Sequence, residues 1–290
     1  MRENIVDVRA IAAKFPSQST AFARPTPVER GTFEGELLRA TQPTLLGGLA
    51  KSWPAYQRWT FDFLATAGTG IPVVATKSIV ETAKTRRVTL DMGDYIRSVL
   101  AGDEAVAGGQ NQTYVSFLPL FEVLPKLKAD VPFGELFLPR TICDPHAWIG
   151  PAGTITGLHC DNFPNLLIQL RGRKGLLLFP PSPLNRLYQS SKFDFGATLS
   201  LVDLRAPDWQ RFPRLRELTP VVVILHEGDA IYIPPGWWHY VVSETPSVTL
   251  SIFAGRVRHM LRGVGPQLFH FLLHQAGLYA RGNCVCHNPA

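Results

Sequence analysis

The sequence has little cysteine and little charge. Four cysteines among 290 residues are too few for a disulfide scaffold, which favours a reducing compartment. Charged residues make up 18% of the chain, against about 25% in a typical soluble domain. Hydrophobic residues make up 46%, which excludes an intrinsically disordered chain and is enough for a large core.

Long apolar runs and targeting signals are also lacking. No segment approaches the about 18 uninterrupted apolar residues of a transmembrane helix. The segment Met1–Phe15 carries charges but no apolar stretch of the kind found in signal peptides. The formal net charge of +6 is mild and scattered, so no basic arm for nucleic acid is indicated. We therefore expect a cytoplasmic protein with no membrane span and no nucleic-acid partner.

The residue pattern divides the chain into three parts that we expect to form one structural unit. Residues 1–139 are mixed and mainly helical, with a helical run expected over 117–127 that Pro119 and Pro125 interrupt. Residues 140–255 contain eight short β-like runs separated by turn residues, which predicts a jelly roll, with a long insertion at 180–220. Residues 256–290 are helical, and their many apolar positions predict burial in the fold or in a dimer.

One motif has the spacing of a metal site. His159 and Asp161 stand two residues apart in the second predicted strand, so both side chains face the same side. Downstream, an apolar strand and a Pro-Pro-Gly corner precede His239, which opens the seventh predicted strand. The second and seventh strands of a jelly roll can lie side by side, which would bring the three side chains together. Two histidines and one carboxylate form the facial triad of non-heme Fe(II) oxygenases.

A cation near this motif predicts a second ligand. Lys174 opens the apolar run that forms the fourth predicted strand, and a buried lysine must be paired. A carboxylate of a bound ligand would satisfy it. Thr156, three residues before His159, can donate a hydroxyl hydrogen bond to the same ligand.

Residues 156–181 together with 228–239 resemble the JmjC, cupin-type Fe(II)/2-oxoglutarate-dependent oxygenases. The likeness is greatest to the branch of the hypoxia-inducible-factor asparaginyl hydroxylase and its bacterial cupin-like relatives, which segments 202–213 and 43–54 also resemble. The resemblance implies a mainly β double-stranded β-helix with helical flanks. It also implies that O₂ and 2-oxoglutarate oxidise a substrate C–H bond, with release of succinate and CO₂.

The resemblance also implies roles for particular residues. The ligands of Fe(II) would be His159, Asp161 and His239. The residues that bind 2-oxoglutarate would be Lys174 and Thr156, at its distal carboxylate, with Tyr114 and Asn165.

A further set of residues is expected to line the substrate pocket: Trp148, Thr198, Leu199, Trp238 and Ser251. In the asparaginyl hydroxylase an Arg-Gln pair grips the substrate amide, and by spacing Thr198 and Leu199 stand in its place. Leu199 cannot hydrogen-bond an amide, so asparagine hydroxylation in that manner is not expected. Ser251 stands where the family usually has an asparagine.

Several interpretations of the function remain open. The favoured one is a hydroxylase of a protein or peptide side chain. The alternatives are a hydroxylase of a free amino acid or natural-product intermediate, an N-methyl-lysine demethylase that uses the same oxidant, and a non-catalytic metal-binding cupin. A homodimer through the C-terminal helix, and a metal or redox role for Cys284, Cys286 and His287, are further possibilities.

Overall fold

The computed structural model describes residues 7–17, 32–77, 86–101, 113–181 and 187–284. The strands in these ranges are β1 (Thr44–Leu46), β2 (Pro72–Lys77), β3 (Arg86–Asp91), β4 (Thr113–Leu118), β5 (Ile142–Gly150), β6 (Ile155–Asp161), β7 (Asn165–Arg171), β8 (Lys174–Phe179), β9 (Ala197–Leu199), β10 (Val221–Leu225), β11 (Ala230–Ile233), β12 (Trp238–Ser243) and β13 (Ser247–Gly255). The α-helices are α1 (Val8–Ala12), α2 (Thr32–Gly35), α3 (Pro54–Arg58), α4 (Phe61–Ala67), α5 (Met92–Ala101), α6 (Leu120–Val123), α7 (Phe133–Leu136) and α8 (Val257–Gln275). Short 3₁₀ helices cover Leu37–Arg39, Pro125–Asp130 and Pro213–Glu217.

The strands form two antiparallel sheets. The larger has eight strands in the order β1-β11-β7-β13-β5-β4-β2-β3, and the smaller has five in the order β10-β8-β12-β6-β9. Along the chain, β5 to β8 alternate between the two sheets, and so do β10 to β13, while β8 and β10 pair with each other in the smaller sheet. This alternation is the double-stranded β-helix, so the prediction of a mainly β jelly roll with helical flanks is confirmed.

Strand alternation sorts the apolar residues into an inner core and two outer ones. The inner core draws on both sheets, with Leu167 of β7, Leu176 of β8 and Val241 of β12 among its members. One outer core packs the larger sheet against the N-terminal helices. The other packs the smaller sheet against α1 and the insertion, through residues such as Leu177 and Trp238. Full burial of one such apolar side chain contributes about 1.5–3 kcal/mol to the free energy of folding.

The N-terminal part extends the larger sheet. β2 pairs with β3 and with β4, and β4 pairs with β5. The helix predicted over 117–127 is wrong in its first part, because β4 continues to Leu118 and α6 begins only after Pro119. Pro125 then opens a 3₁₀ helix. Proline has no backbone N–H and disrupts a helix interior, so these two prolines divide the segment.

The C-terminal helix α8 exposes much of its apolar surface. Among the described residues, five of its large apolar side chains are exposed: Val257, Leu261, Leu268, Phe269 and Leu272. The prediction was burial in the fold or in a dimer. These side chains are not buried in the fold, and burial in a dimer stays a prediction. In the part of the chain that the structure describes, no helix is long and apolar enough to cross a membrane.

Candidate metal centre

Three side chains of types that can ligate a metal ion meet on the inner face of the smaller sheet. His159 and Asp161 lie on β6, and His239 lies on β12 as the direct cross-strand neighbour of His159. One ligand atom from each residue lies within 4.8 Å of the other two. The distances from Nε2 to the nearer Asp161 oxygen are 3.8 Å for His159 and 3.6 Å for His239. The structure thus brings together the three residues that the strand pattern placed on one face.

Backbone carbonyl groups fix both imidazole rings. Nδ1 of His159 lies 2.7 Å from the oxygen of Gly157, and Nδ1 of His239 lies 3.1 Å from the oxygen of Trp237. A ring nitrogen that faces a carbonyl carries the proton, so each Nε2 keeps a free lone pair. Burial lowers the pKa of each imidazole to about 4. Both rings are therefore neutral at pH 7, which is the form that binds a metal.

The carboxylate of Asp161 is oriented by a short chain of hydrogen bonds. Asn165 donates from Nδ2 to Oδ2 of Asp161 at 3.1 Å, and Ser251 donates from Oγ to Oδ1 of Asn165 at 2.7 Å. Burial raises the pKa of Asp161, and the neighbouring His159 and the bond from Asn165 oppose that shift. Outer hydrogen bonds of this kind orient the ligand and tune metal affinity.

These donors fit a divalent transition metal. The set consists of two neutral imidazole Nε2 atoms and one carboxylate, all buried. Among the described residues, no other histidine, cysteine, aspartate or glutamate joins the cluster. Three protein ligands leave open positions on an octahedral ion, and this composition is typical of non-heme iron sites.

A buried cation lies in the same barrel. Lys174 on β8 is 2% exposed, and no carboxylate of the described residues lies within ion-pair distance of its Nζ. Its Nζ donates a hydrogen bond to the Tyr114 hydroxyl at 2.8 Å. The side chains of Thr156 and Ser243 lie beside that hydroxyl, where they favour its ionised form and so oppose the effect of burial on its pKa. Burial lowers the pKa of Lys174 to about 7 and raises that of Tyr114. This arrangement suits an incoming anion, because an anion would compensate the buried ammonium group.

A β-bulge places Thr156 on the same face as His159. In a regular strand, residues three apart point to opposite faces. Here β6 pairs His159 with His239 but Thr156 with Val241, so β6 contains one residue more than β12 between these pairs. The extra residue falls at Gly157 and Leu158, and the bulge turns Thr156 inward. Sequence alternation alone could not reveal this geometry.

Two of the residues expected in the substrate pocket lie on the wrong side of the sheet. Trp238 and Thr198 both stand opposite Cys160, which belongs to the outer core. Residues directly opposite each other in a sheet share a face, so the pocket predictions for Trp238 and Thr198 are wrong. Leu199 stands opposite His159 and shares the inner face. Burial raises the pKa of the Cys160 thiol to about 12, so this thiol stays protonated.

Strand β5 contributes two side chains to the inner face. Ala147 and Ile149 belong to the outer core, so His146 and Trp148 point into the barrel. The Trp148 ring lies 5.7 Å from that of Tyr114, and its buried indole N–H has no hydrogen-bond partner among the described residues.

Sequence reasoning missed two residues that face the site. His146 stands two positions before Trp148, and Ser243 stands four positions after His239. Residues an even number of positions apart in a strand share a face, so strand alternation could have predicted both. Of the C-terminal tail, Cys284 is buried, whereas Cys286 and His287 lie outside the described residues.

The comparisons assign the chain to a family. The model of the cupin-like domain family matches residues 30–253, and the chain belongs to this family. It is 31% identical to Jumonji C domain-containing protein 5 of Drosophila melanogaster over 230 residues, which cover 76% of this chain and 56% of that protein. It is 31% identical to lysine-specific demethylase JMJ30 of Arabidopsis thaliana over 216 residues, which cover 73% of this chain and 49% of that protein.

A third relative matches a shorter segment. HSPB1-associated protein 1 of Homo sapiens is 36% identical over 142 residues, which cover 48% of this chain and 29% of that protein. The chain spans about half the length of Jumonji C domain-containing protein 5 and of demethylase JMJ30. These matches confirm the resemblance to the JmjC, cupin-type class of Fe(II)/2-oxoglutarate oxygenases.

Proposed function

We propose that the protein is an Fe(II)- and 2-oxoglutarate-dependent hydroxylase of a C–H bond in a protein or peptide side chain. The net reaction converts R–H, O₂ and 2-oxoglutarate into R–OH, succinate and CO₂. One observation carries this proposal. A metal-binding triad with both Nε2 atoms free shares the barrel with Lys174, a buried cation without a carboxylate partner among the described residues. A non-catalytic metal-binding cupin does not require that cation.

Each part of the site has a distinct task in this proposal. His159, Asp161 and His239 would hold Fe(II), which supplies the activation of O₂ when it is bound. The ammonium of Lys174 and the hydroxyl of Tyr114 would bind the distal carboxylate of 2-oxoglutarate, because a buried ammonium group is stabilised by an anion. The apolar inner core would keep bulk water away from the reacting atoms.

The protein or peptide substrate is supported by the relatives. Those named lysine-specific demethylases act, by their names, on lysine. Hydroxylation of an N-methyl group gives a product that loses formaldehyde, whereas hydroxylation at carbon gives a stable alcohol. The same site therefore permits either outcome. A free amino acid or natural-product intermediate is the alternative substrate.

Product analysis tests this proposal. Cell extract is separated into protein and small-molecule fractions and incubated with the Fe(II)-loaded protein, with and without 2-oxoglutarate. We expect a mass increase of about 16 in a peptide of the protein fraction that requires 2-oxoglutarate. A loss of about 14 with release of formaldehyde assigns demethylation instead. A 2-oxoglutarate-dependent shift confined to the small molecules contradicts the protein-substrate proposal, and Asp161→Ala is the matched inactive control.

The homodimer also belongs to this proposal. The exposed apolar side chains of α8 include Leu268, Phe269 and Leu272, and a second copy of the same helix would cover them. Size-exclusion chromatography with light scattering should give twice the monomer mass for the wild type. Phe269→Glu should shift it toward the monomer, and a monomeric wild type contradicts the proposal.

A further inference from the structure

The side chain of His146 is buried on the inner face of β5, and its Nδ1 atom has no polar partner among the described residues. It is 7% exposed, and neither Nδ1 nor Nε2 makes a hydrogen bond of acceptable geometry with any described residue. Buried polar atoms in native proteins are nearly always paired, so a buried Nδ1 atom without a partner indicates that one is missing. A ligand is the natural source of that partner, because the ring faces into the barrel.

A neighbouring carboxylate faces one nitrogen of the imidazole ring. Oδ1 of Asp144 lies 2.8 Å from Nε2 of His146, although out of line for a hydrogen bond, and the Asp144 side chain is 61% exposed. Nε2 is the ring nitrogen that faces this carboxylate, whereas Nδ1 faces no charged group among the described residues. In the tautomer with its proton on Nε2, Nδ1 presents a lone pair, which is an acceptor for an N–H group.

An exposed aromatic ring covers the imidazole. Phe117 stacks on His146 with ring centroids 3.7 Å apart and an interplanar angle of 19°, and Phe253 lies 5.9 Å from the Phe117 ring. Phe117 is 50% exposed and has a φ of 54°, in the left-handed region that a bulky residue rarely adopts. Such strain persists where the surrounding structure enforces it, and it clusters at ligand sites. The rings offer an apolar wall beside the free nitrogen.

The strand register of the larger sheet places His146 close to the residues that orient the metal ligand Asp161. His146 stands directly opposite Ser251 on β13. Ser251 hydrogen-bonds to Asn165, which in turn hydrogen-bonds to Asp161. A substrate side chain held against His146 therefore lies on the same inner face as the residues that orient the metal ligand.

We infer that His146 is a specificity-determining residue that accepts a hydrogen bond at Nδ1 from an N–H donor on the substrate side chain. This inference rests on the proposed function, because it assumes a peptide substrate. It names the substrate class as side chains with N–H donors beside apolar carbons, such as guanidinium, ammonium or carboxamide groups. Phe117 and Phe253 pack against the apolar carbons of that side chain.

Peptide binding tests the inference without turnover. The protein is loaded with Zn(II) in place of iron and with 2-oxoglutarate. It is then titrated into labelled nine-residue peptides that differ only in the central side chain: arginine, lysine, glutamine or norleucine. For the wild type we expect at least one N–H peptide to bind about tenfold more tightly than the norleucine peptide, since one buried hydrogen bond is worth roughly that much. His146→Phe should remove this difference.

Three further variants separate recognition from folding. His146→Asn places an amide oxygen near the position of Nδ1 and should keep most of the preference, whereas His146→Gln reaches the Nε2 position and should lose it. His226→Phe replaces an exposed histidine and should match the wild type. Thermal unfolding shows whether His146→Phe is folded. If it is not, the difference in peptide preference between His146→Asn and His146→Gln tests the inference.

Specific outcomes overturn the inference. It is wrong if the norleucine peptide binds as tightly as every N–H peptide, or if no peptide binds. It is also wrong if His146→Phe keeps the wild-type preference. Absence of succinate formation by the iron-loaded protein contradicts the proposed function instead, because the Zn(II) experiment does not depend on turnover.

Discussion

Asn165 donates a hydrogen bond from Nδ2 to Oδ2 of Asp161, so a residue outside the ligand set orients the carboxylate. Asn165→Leu removes this bond and leaves one carboxylate oxygen without its donor. We expect the affinity for Fe(II), or for Co(II) as its spectroscopic substitute, to fall about 10–100-fold. Competition with a chelator of known affinity measures the change.

Ser251→Ala is the graded control for this experiment. Ser251 contacts Asn165 and not Asp161 in the hydrogen bonds described, so its removal loosens the amide without deleting the donor. We expect a smaller loss of metal affinity than for Asn165→Leu. Wild-type affinity in Asn165→Leu contradicts the assigned role.

Substitution of Lys174 should affect stability and binding in opposite directions. A buried ammonium group without a carboxylate partner among the described residues destabilises the protein in the absence of co-substrate. Lys174→Met replaces it by an apolar side chain of similar length and should stabilise the ligand-free protein by about 1–3 kcal/mol. The same variant should lose most of its affinity for 2-oxoglutarate. Thermal unfolding and calorimetric titration measure the two effects, and unchanged 2-oxoglutarate binding contradicts the anion site.

The pKa of Lys174 predicts a pH dependence. Burial lowers this pKa from 10.5 to about 7, so the ligand-free side chain loses its charge above pH 7. A carboxylate binds the protonated form, and the apparent Kd for 2-oxoglutarate should therefore be flat below pH 7. Above pH 7 the apparent Kd should rise with a slope that approaches tenfold per pH unit.

The lowered pKa of Lys174 also determines how the stability of the ligand-free protein changes with pH. Between pH 7 and 10.5 the unfolded chain binds more protons at this residue than the folded protein does, so this residue's contribution makes the ligand-free protein more stable as pH rises. Lys174→Arg is the control, because guanidinium stays charged over this range and its residual 2-oxoglutarate binding should not vary in this way. A wild-type Kd that is constant from pH 6 to 9 contradicts the prediction.

The sequence was a good guide to the barrel because strand alternation is a local property. The eight runs between 140 and 255 correspond to strands of the jelly roll, and the two-residue spacing of His159 and Asp161 placed them on one face. The same rule contradicts the pocket role given to Trp238, since a residue next to an inward His239 must point outward. That error was avoidable from the sequence.

Other features depend on contacts between distant segments. The bulge that turns Thr156 inward is visible only in the register of β6 against β12. The bond from Lys174 to Tyr114 joins residues 60 positions apart. The exposure of apolar side chains on α8 depends on which other segments cover that helix. The spacing of apolar residues predicts a helix, but it does not identify those segments.

Succinate formation tests the central claim most directly. The protein is freed of metal, reconstituted anaerobically with Fe(II), and mixed with 2-oxoglutarate and O₂ without an added substrate. The wild type should release succinate and CO₂ with O₂ uptake, at the slow uncoupled rate expected without substrate, and Asp161→Ala, which lacks one of the three ligands, should release none above background. A protein that binds Fe(II) but not 2-oxoglutarate, or an Asp161→Ala variant with wild-type turnover, would contradict the account.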